Sequence, residues 1–161
     1  MTESHAARTA DVLAQIDTMR DEMVTALQAL VQIPSVTPKY PGLDVTPYLG
    51  GETRCNEALA PYFAAAGAQN DLWEEEPGRA NLVGVISGSG EGRSLIFNGH
   101  IDTVPPGDAA TWTGGDPFSG RVEGDRLYGL GAVDMKAGLV AAAMAMTALH
   151  RCGVQLAGDV I

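Results

Sequence analysis

His100 and Asp102 stand two positions apart in "FNGHIDTVPPG", residues 97–107, at the end of an apolar run that two prolines then break. In an extended chain the side chains at i and i+2 face the same way, so imidazole and carboxylate project together while Ile101 turns to the opposite layer. An imidazole nitrogen is a good zinc ligand, and a carboxylate that takes the ring's other N–H fixes its tautomer. A third candidate, Asp134, stands just before the run "MKAGLVAAAMAM". A carboxylate at a helix entry is well placed to bridge two cations, held roughly 3.5–4 Å apart around a shared hydroxide. Each residue also has a plainer reading. Asp102 can open the turn before Pro105, His100 can be a satisfied core histidine, and Asp134 can cap free backbone N–H groups, worth about 1 kcal/mol.

The elements that must hold these residues alternate in type. Residues 9–32 carry Val12, Leu13, Ile16, Met19, Met23, Leu27, Leu30 and Val31 at helical spacing, which predicts one docking helix with a single apolar stripe. "IPSVTPKYPG" stops it with three prolines, and "YLGGETRCNEALAPYFAAAGA" restarts a helix that closes at Gly67. "NLVGVIS" and "SLIFNGH" read as short strands, and "GSGEGR" between them reads as a hairpin turn. That glycine cluster leads into a strand rather than a helix N-terminus, so a phosphate loop is rejected. The run Glu74–Glu76 reads as a solvated strand end or loop. A turn-rich stretch follows, then an Ala-rich helix ending at Gly153, and "VQLAGDVI" opens a further buried strand. Strands alternating with helices predict one α/β layered domain with a mostly parallel sheet, an antiparallel pair being allowed by the hairpin signal.

Composition narrows the partners. The 161 residues are 45% hydrophobic, enough for one core, and carry a formal charge of −10. Such a field repels nucleic acid and anionic membrane surfaces. The N-terminal segment is polar and helix-like with no secretory pattern, and no uncharged stretch has transmembrane length. Cys55 and Cys152 have no CxxC partner and read as inert thiols in a reducing compartment, which makes the cytoplasm the expected location. His5 reads as part of a frayed terminus, and His150 as a residue suited to a helix C-terminus.

Three segments together, "NGHIDTVPPG", "WTGGDPF" and "LYGLGAVDMKAGLVAA", resemble the metal-binding signatures of the M20 family of zinc metallopeptidases and aminoacylases. The resemblance spans roughly residues 10–161 and leans toward the acetylornithine deacetylase and succinyl-diaminopimelate desuccinylase branch. It implies a three-layer zinc-exopeptidase-like catalytic domain, incomplete at its C-terminal side, of which residues 1–161 are the N-terminal part. It gives His100 the role of a zinc ligand, Asp102 that of the aspartate orienting it, and Asp134 that of the aspartate bridging two metals. The implied cofactor is two Zn2+ per intact site, with Co2+ as a substitute. The implied reaction is hydrolysis of the amide of an N-acyl amino acid or small peptide by a metal-bridged water, with the lid or dimerisation domain outside this chain, a homodimer of the intact protein being allowed and the oligomeric state left open.

This chain departs from the family pattern at "Gly129-Leu130-Gly131", where an arginine commonly stands between the glycines, a change that touches no ligand. A paired glutamate, a further acidic ligand and a distant histidine would lie beyond Ile161, so the 161 residues alone are expected to be a weak metal binder and a poor catalyst. The competing reading is a truncated, non-catalytic relative that acts as a binding module or is a decayed remnant.

Overall fold

The computed structural model describes residues 3–161; Met1 and Thr2, the start of the expected polar helix, lie outside the described residues. The apolar stripe of residues 9–32 is carried by two helices rather than one, α1 (Glu3–Thr18) and α2 (Arg20–Val31). The break has a local cause. The Thr18 hydroxyl donates to the Gln15 carbonyl at 2.7 Å, and the Met19 N–H turns to Ile16 O at 2.9 Å instead. A side-chain donor has taken the acceptor that the next helical turn required. Met19 then sinks into the core at 1% exposure, whereas Leu13, expected on the same stripe, is 57% exposed. His5 lies in the first turn of α1 and is exposed.

α3 (Gly51–Ala65) follows the proline-rich loop, and Gly67 ends the segment at φ +88°, the left-handed conformation a side chain resists. β1 (Gln69–Glu74) and β2 (Ala80–Val85) pair antiparallel, with Leu72 opposite Leu82. β1 went unnoticed in the sequence because its six residues are all exposed and carry no alternating pattern. Glu74 closes it, accepting from the Thr53 hydroxyl and the Gly78 N–H, which hold its carboxyl below the usual range. β3 (Arg121–Glu123) and β4 (Arg126–Tyr128) form a second hairpin whose two-residue loop starts with Gly124 at φ +59°. α4 (Ala137–Arg151) closes the chain's helical set, with His150 in its last turn.

Two expectations about the sheet are corrected. "SLIFNGH" is extended but forms no strand: Leu95, Ile96 and Phe97 are 50%, 65% and 47% exposed, where a buried strand was expected. "GSGEGR" does not turn a hairpin either. Its two flanks are separated by the terminal segment, because Val160 pairs antiparallel with Ile86 on one side and parallel with Leu95 on the other. Val160 is 9% exposed, so "VQLAGDVI" does reach a buried, strand-like pairing. Among the described residues both sheets are two-stranded and antiparallel, and parallel pairing is confined to the bridges Leu95–Val160 and Val36–Thr103.

The core lies among the helices. Met19, Ala26, Leu30, Cys55, Leu59, Ile101, Val140, Met144 and Ala148 form one buried cluster, with α4 packed on α1, α2 and α3. Ala132–Arg151 is long and apolar enough to cross a membrane by length and composition, although it is not an uncharged stretch, since it carries Asp134, Lys136 and Arg151. Its side chains Val140, Met144 and Ala148 are committed to this core, and Met146 packs in a second cluster with Ala66 and Val160. Cys55 is buried and Cys152 half-buried, both free. Between β2, the extended segment 96–101 and the helices lies a cavity of about 410 Å³, floored by Leu59, Phe63, Leu139 and Met146.

Candidate metal centre

The segment that carries His100 and Asp102 is held straight by pairing at both ends. Upstream, the Leu95 N–H donates to Asp159 O and the Phe97 N–H to Ile161 O, at 2.9 and 2.8 Å. Downstream, Thr103 exchanges backbone bonds with the loop after α2: Thr103 N–H to Ser35 O at 2.9 Å, and Thr37 N–H to Thr103 O at 3.0 Å. With the backbone extended between these anchors, Ile101 is buried and His100 and Asp102 face out together, as the i, i+2 spacing requires.

Asp134 arrives from a different element. Gly131, at φ +78°, opens a single irregular turn over Ala132–Lys136 that leads into α4, and Asp134 and Met135 leave helical geometry within it. A Cβ on Gly131 would stand 2.5 Å from Thr103 Cγ2, so only glycine lets this turn lie against the His100 segment. Asp134 does not cap the helix: Lys136 holds the N-cap position of α4 and no side chain bonds there. Its carboxylate is 84% exposed and points at the histidine.

The three residues named from the sequence therefore meet. His100 Nδ1 lies 3.0 Å from Asp102 O and 3.2 Å from Asp102 Oδ1, and Nε2 lies 3.1 Å from Asp134 Oδ1. The imidazole is 49% exposed, which disposes of the core-histidine reading. Carbonyl and carboxylate oxygens accept, so these contacts favour an N–H on the ring and with it the protonated form. Burial works against that charge. The bonds to the Asp102 carbonyl and the Asp134 carboxylate outweigh it and raise the His100 pKa above its ordinary value.

The donor set fits a metal in part. Asp102 anchors Nδ1 and leaves Nε2 turned toward a second carboxylate, the arrangement in which a cation takes the place of the Nε2 proton. Zinc in a catalytic site takes three protein ligands, and among the described residues no three His, Cys, Asp or Glu side chains gather to hold an ion. His100 and Asp134 thus suit two ligand positions of an incomplete set. The acidic run Glu74–Glu76 contributes nothing here, since Glu76 pairs with Arg79 and Lys39.

Two supporting residues escaped the sequence reading. Lys136 is wholly buried, and its amine donates to Leu30 O at 2.8 Å and Ile33 O at 3.1 Å. Burial lowers its pKa, against a smaller raising influence from the Cys55 thiol. Ser35, also fully buried, donates to Ile101 O at 2.8 Å. A lone lysine inside the apolar run "AVDMKAGLVAA" was the available signal for the first; nothing in "IPSVTP" marks the second. Leu130, at the departure from the family pattern, uses its N–H on Pro117 O at 2.7 Å and leaves the site untouched.

The chain is similar to several known proteins. The chain is 33% identical over 153 residues to N-formyl-4-amino-5-aminomethyl-2-methylpyrimidine deformylase of Halalkalibacterium halodurans, covering 94% of the chain and 34% of that protein. It is 42% identical over 129 residues to succinyl-diaminopimelate desuccinylase of Rhodopseudomonas palustris, covering 79% of the chain and 30% of that protein. The chain thus spans about a third of the length of the curated relatives it matches. Human carnosine dipeptidase 1 shares its fold at a TM-score of 0.76, with 24% identity over 92% of this chain and 32% of that one. The di-peptidase Dug1p of Saccharomyces cerevisiae does so at 0.75, with 15% identity over 94% of this chain and 33% of that one. Residues 96–161, which carry His100, Asp102 and Asp134, match peptidase family M20/M25/M40.

Proposed function

We propose that this chain forms the N-terminal part of the catalytic domain of a zinc-dependent amidohydrolase that cleaves a linear amide in an N-acyl amino acid or small peptide. The observation that carries the proposal is the His100 ring held between Asp102 and Asp134, inside the family-matched segment. His100 Nε2 and the Asp134 carboxylate would hold the metal, with Asp134 shared between two ions. Zinc bound there would acidify a water and polarise the scissile carbonyl. Co2+ would substitute on the same donors.

The chain's own residues have separable tasks. Asp102 fixes which ring nitrogen faces the metal and strengthens it as a donor. Asp134 supplies negative charge where cations must be held close together. The segment 95–103 keeps the ring at the edge of the 410 Å³ cavity, which His100 and Asp102 line. Two ligands are too few for tight binding, so the remaining ligands and the general base are assigned to residues outside these 161. The full domain would be three-layered around a mostly parallel sheet, with the lid and any homodimer contact elsewhere in the protein.

Relatives named for removing succinyl and formyl groups from amines support a small N-acylated substrate rather than a polymer. The charge of −10 supports excluding nucleic acid and anionic membranes as partners, and a cytoplasmic location accords with two free thiols.

The test is made on the polypeptide expressed from its own gene, assayed with zinc against N-succinyl- and N-acetyl-amino acids, N-formyl amines and dipeptides. His100→Ala and Asp134→Ala should each abolish hydrolysis while circular dichroism stays near wild type. Activity retained in both variants would overturn the assignment. A second reading, a non-catalytic relative, is favoured by the lack of a three-residue ligand group among the described residues. It predicts neither zinc nor turnover in the native gene product, whereas the enzyme reading predicts close to two zinc ions per chain.

A further inference from the structure

We propose that the stretch Leu30–Thr37 is a bracket that sets the spacing of His100 and Asp134, with Lys136 and Ser35 as its positioning residues; this rests on the reading of that pair as metal ligands. The two halves of the site come from segments that share no backbone hydrogen bond among the described residues. Each is fastened instead to the same short stretch after and including the end of α2. On one side, Ser35 Oγ donates to Ile101 O, the carbonyl between His100 and Asp102, and residues 35–37 pair with Thr103. On the other, Lys136 sends its amine from the Asp134 turn to Leu30 O and Ile33 O. Position 136 is two residues beyond Asp134, so a displacement of the lysine stem displaces the turn that aims the carboxylate.

The choice of lysine is informative. A fully buried ammonium is costly unless its donors are matched, and here it meets the carbonyl end of α2, where the helix dipole is negative. An apolar side chain of the same length would fill the space without that cost. The amine instead supplies directed bonds to Leu30 O and Ile33 O across a gap that packing alone would leave free to slide. Ser35 does the equivalent with a neutral hydroxyl, and Gly131 permits the close contact between the two held segments.

The experiment measures zinc affinity, by competition with a chromophoric chelator, for the native gene product and for Lys136→Met, Ser35→Ala, Asp134→Asn and the double variant Lys136→Met/Asp134→Asn. Lys136→Met and Ser35→Ala should each weaken zinc by about tenfold, the scale found for groups that orient a ligand without touching the metal. In the Asp134→Asn background the Lys136→Met effect should vanish, because a positioning residue has nothing left to position. An effect that persists undiminished in that background would make Lys136 merely structural and overturn the bracket. If Asp134→Asn weakens zinc while neither Lys136→Met nor Ser35→Ala does, the bracket fails and the ligand reading stands. If Asp134→Asn leaves the affinity unchanged, the ligand reading fails and the bracket with it. Should Lys136→Met not fold, Ser35→Ala measured in a His100→Ala background carries the equivalent cycle on the other half of the site, and an effect that persists undiminished there overturns the bracket.

Discussion

The helical side and the strand side of this molecule are built to different standards. Leu30, Val31, Met144 and Ala148 are fully buried, and even the polar residues among them, Ser35 and Lys136, have matched partners. Across the site, Leu95, Ile96 and Phe97 stand about half exposed on a segment held only by isolated pairings to the terminal residues and to the loop after α2. The candidate metal pair sits on the seam: His100 belongs to the loosely covered segment, Asp134 to a turn anchored in the tight core. The difference teaches that the geometry of the site is imposed from the helical side, and that the strand side accepts it.

Substitutions should reproduce this inequality, and the largest effect belongs to the helical core. Leu30→Ala removes a fully buried side chain from the main cluster and should cost about 4 kcal/mol in urea unfolding. A loss under 1 kcal/mol would mean that the core is not where the molecule keeps its stability. Next comes the ion pair of Arg79 with Glu52, 2.5 Å apart, whose carboxylate side chain is 8% exposed. Arg79→Met leaves that carboxylate buried without its partner, and about 3 kcal/mol should be lost; a neutral result would show that water reaches Glu52.

Thr103 offers a test with the opposite sign. Its hydroxyl is a buried side-chain oxygen with no partner among the described residues. Thr103→Val keeps the shape and removes the unmet polar atom, so thermal unfolding should be unchanged or raised, by up to about 1 kcal/mol. A loss larger than that would reveal a hydrogen bond at this position. The smallest effect is expected on the strand side: Ile96→Thr, at a residue 65% exposed, should stay within about 0.5 kcal/mol of the parent. Were it to cost 2 kcal/mol or more, segment 95–101 would be covered in solution and the contrast between the two sides would collapse.

Much of the helical half was legible in advance because its signals are local. The 3.6-residue stripe of residues 9–32 located the helical stretch of α1 and α2, the run restarting after the prolines located α3, alanine-rich composition located α4, and the glycines at 67 and 153 ended helices as their positive φ allows. The join at Met19 was not legible, since it depends on whether one threonine hydroxyl takes a carbonyl or leaves it to the helix. The strand side was read less well for a related reason. Apolar content in "SLIFNGH" suggested burial, but burial needs neighbours on both faces, and those are set by which distant segment pairs with it. The hairpin expected at "GSGEGR" failed likewise, because Val160, far along the chain, takes the place between its flanks.

For the site, sequence alone determined that His100 and Asp102 share a face: the two-residue period of an extended backbone permits nothing else. It also supplied the residue types, and with them the family signature, since imidazole and carboxylate chemistry travels with the side chain. Only the tertiary structure decided that Asp134, 34 positions away, faces the free ring nitrogen at 3.1 Å rather than capping α4. That contact depends on a left-handed glycine, a buried lysine and the end of α2 meeting in space. Such contacts leave no period in a sequence, because the energy that fixes them is shared among residues whose order along the chain is immaterial.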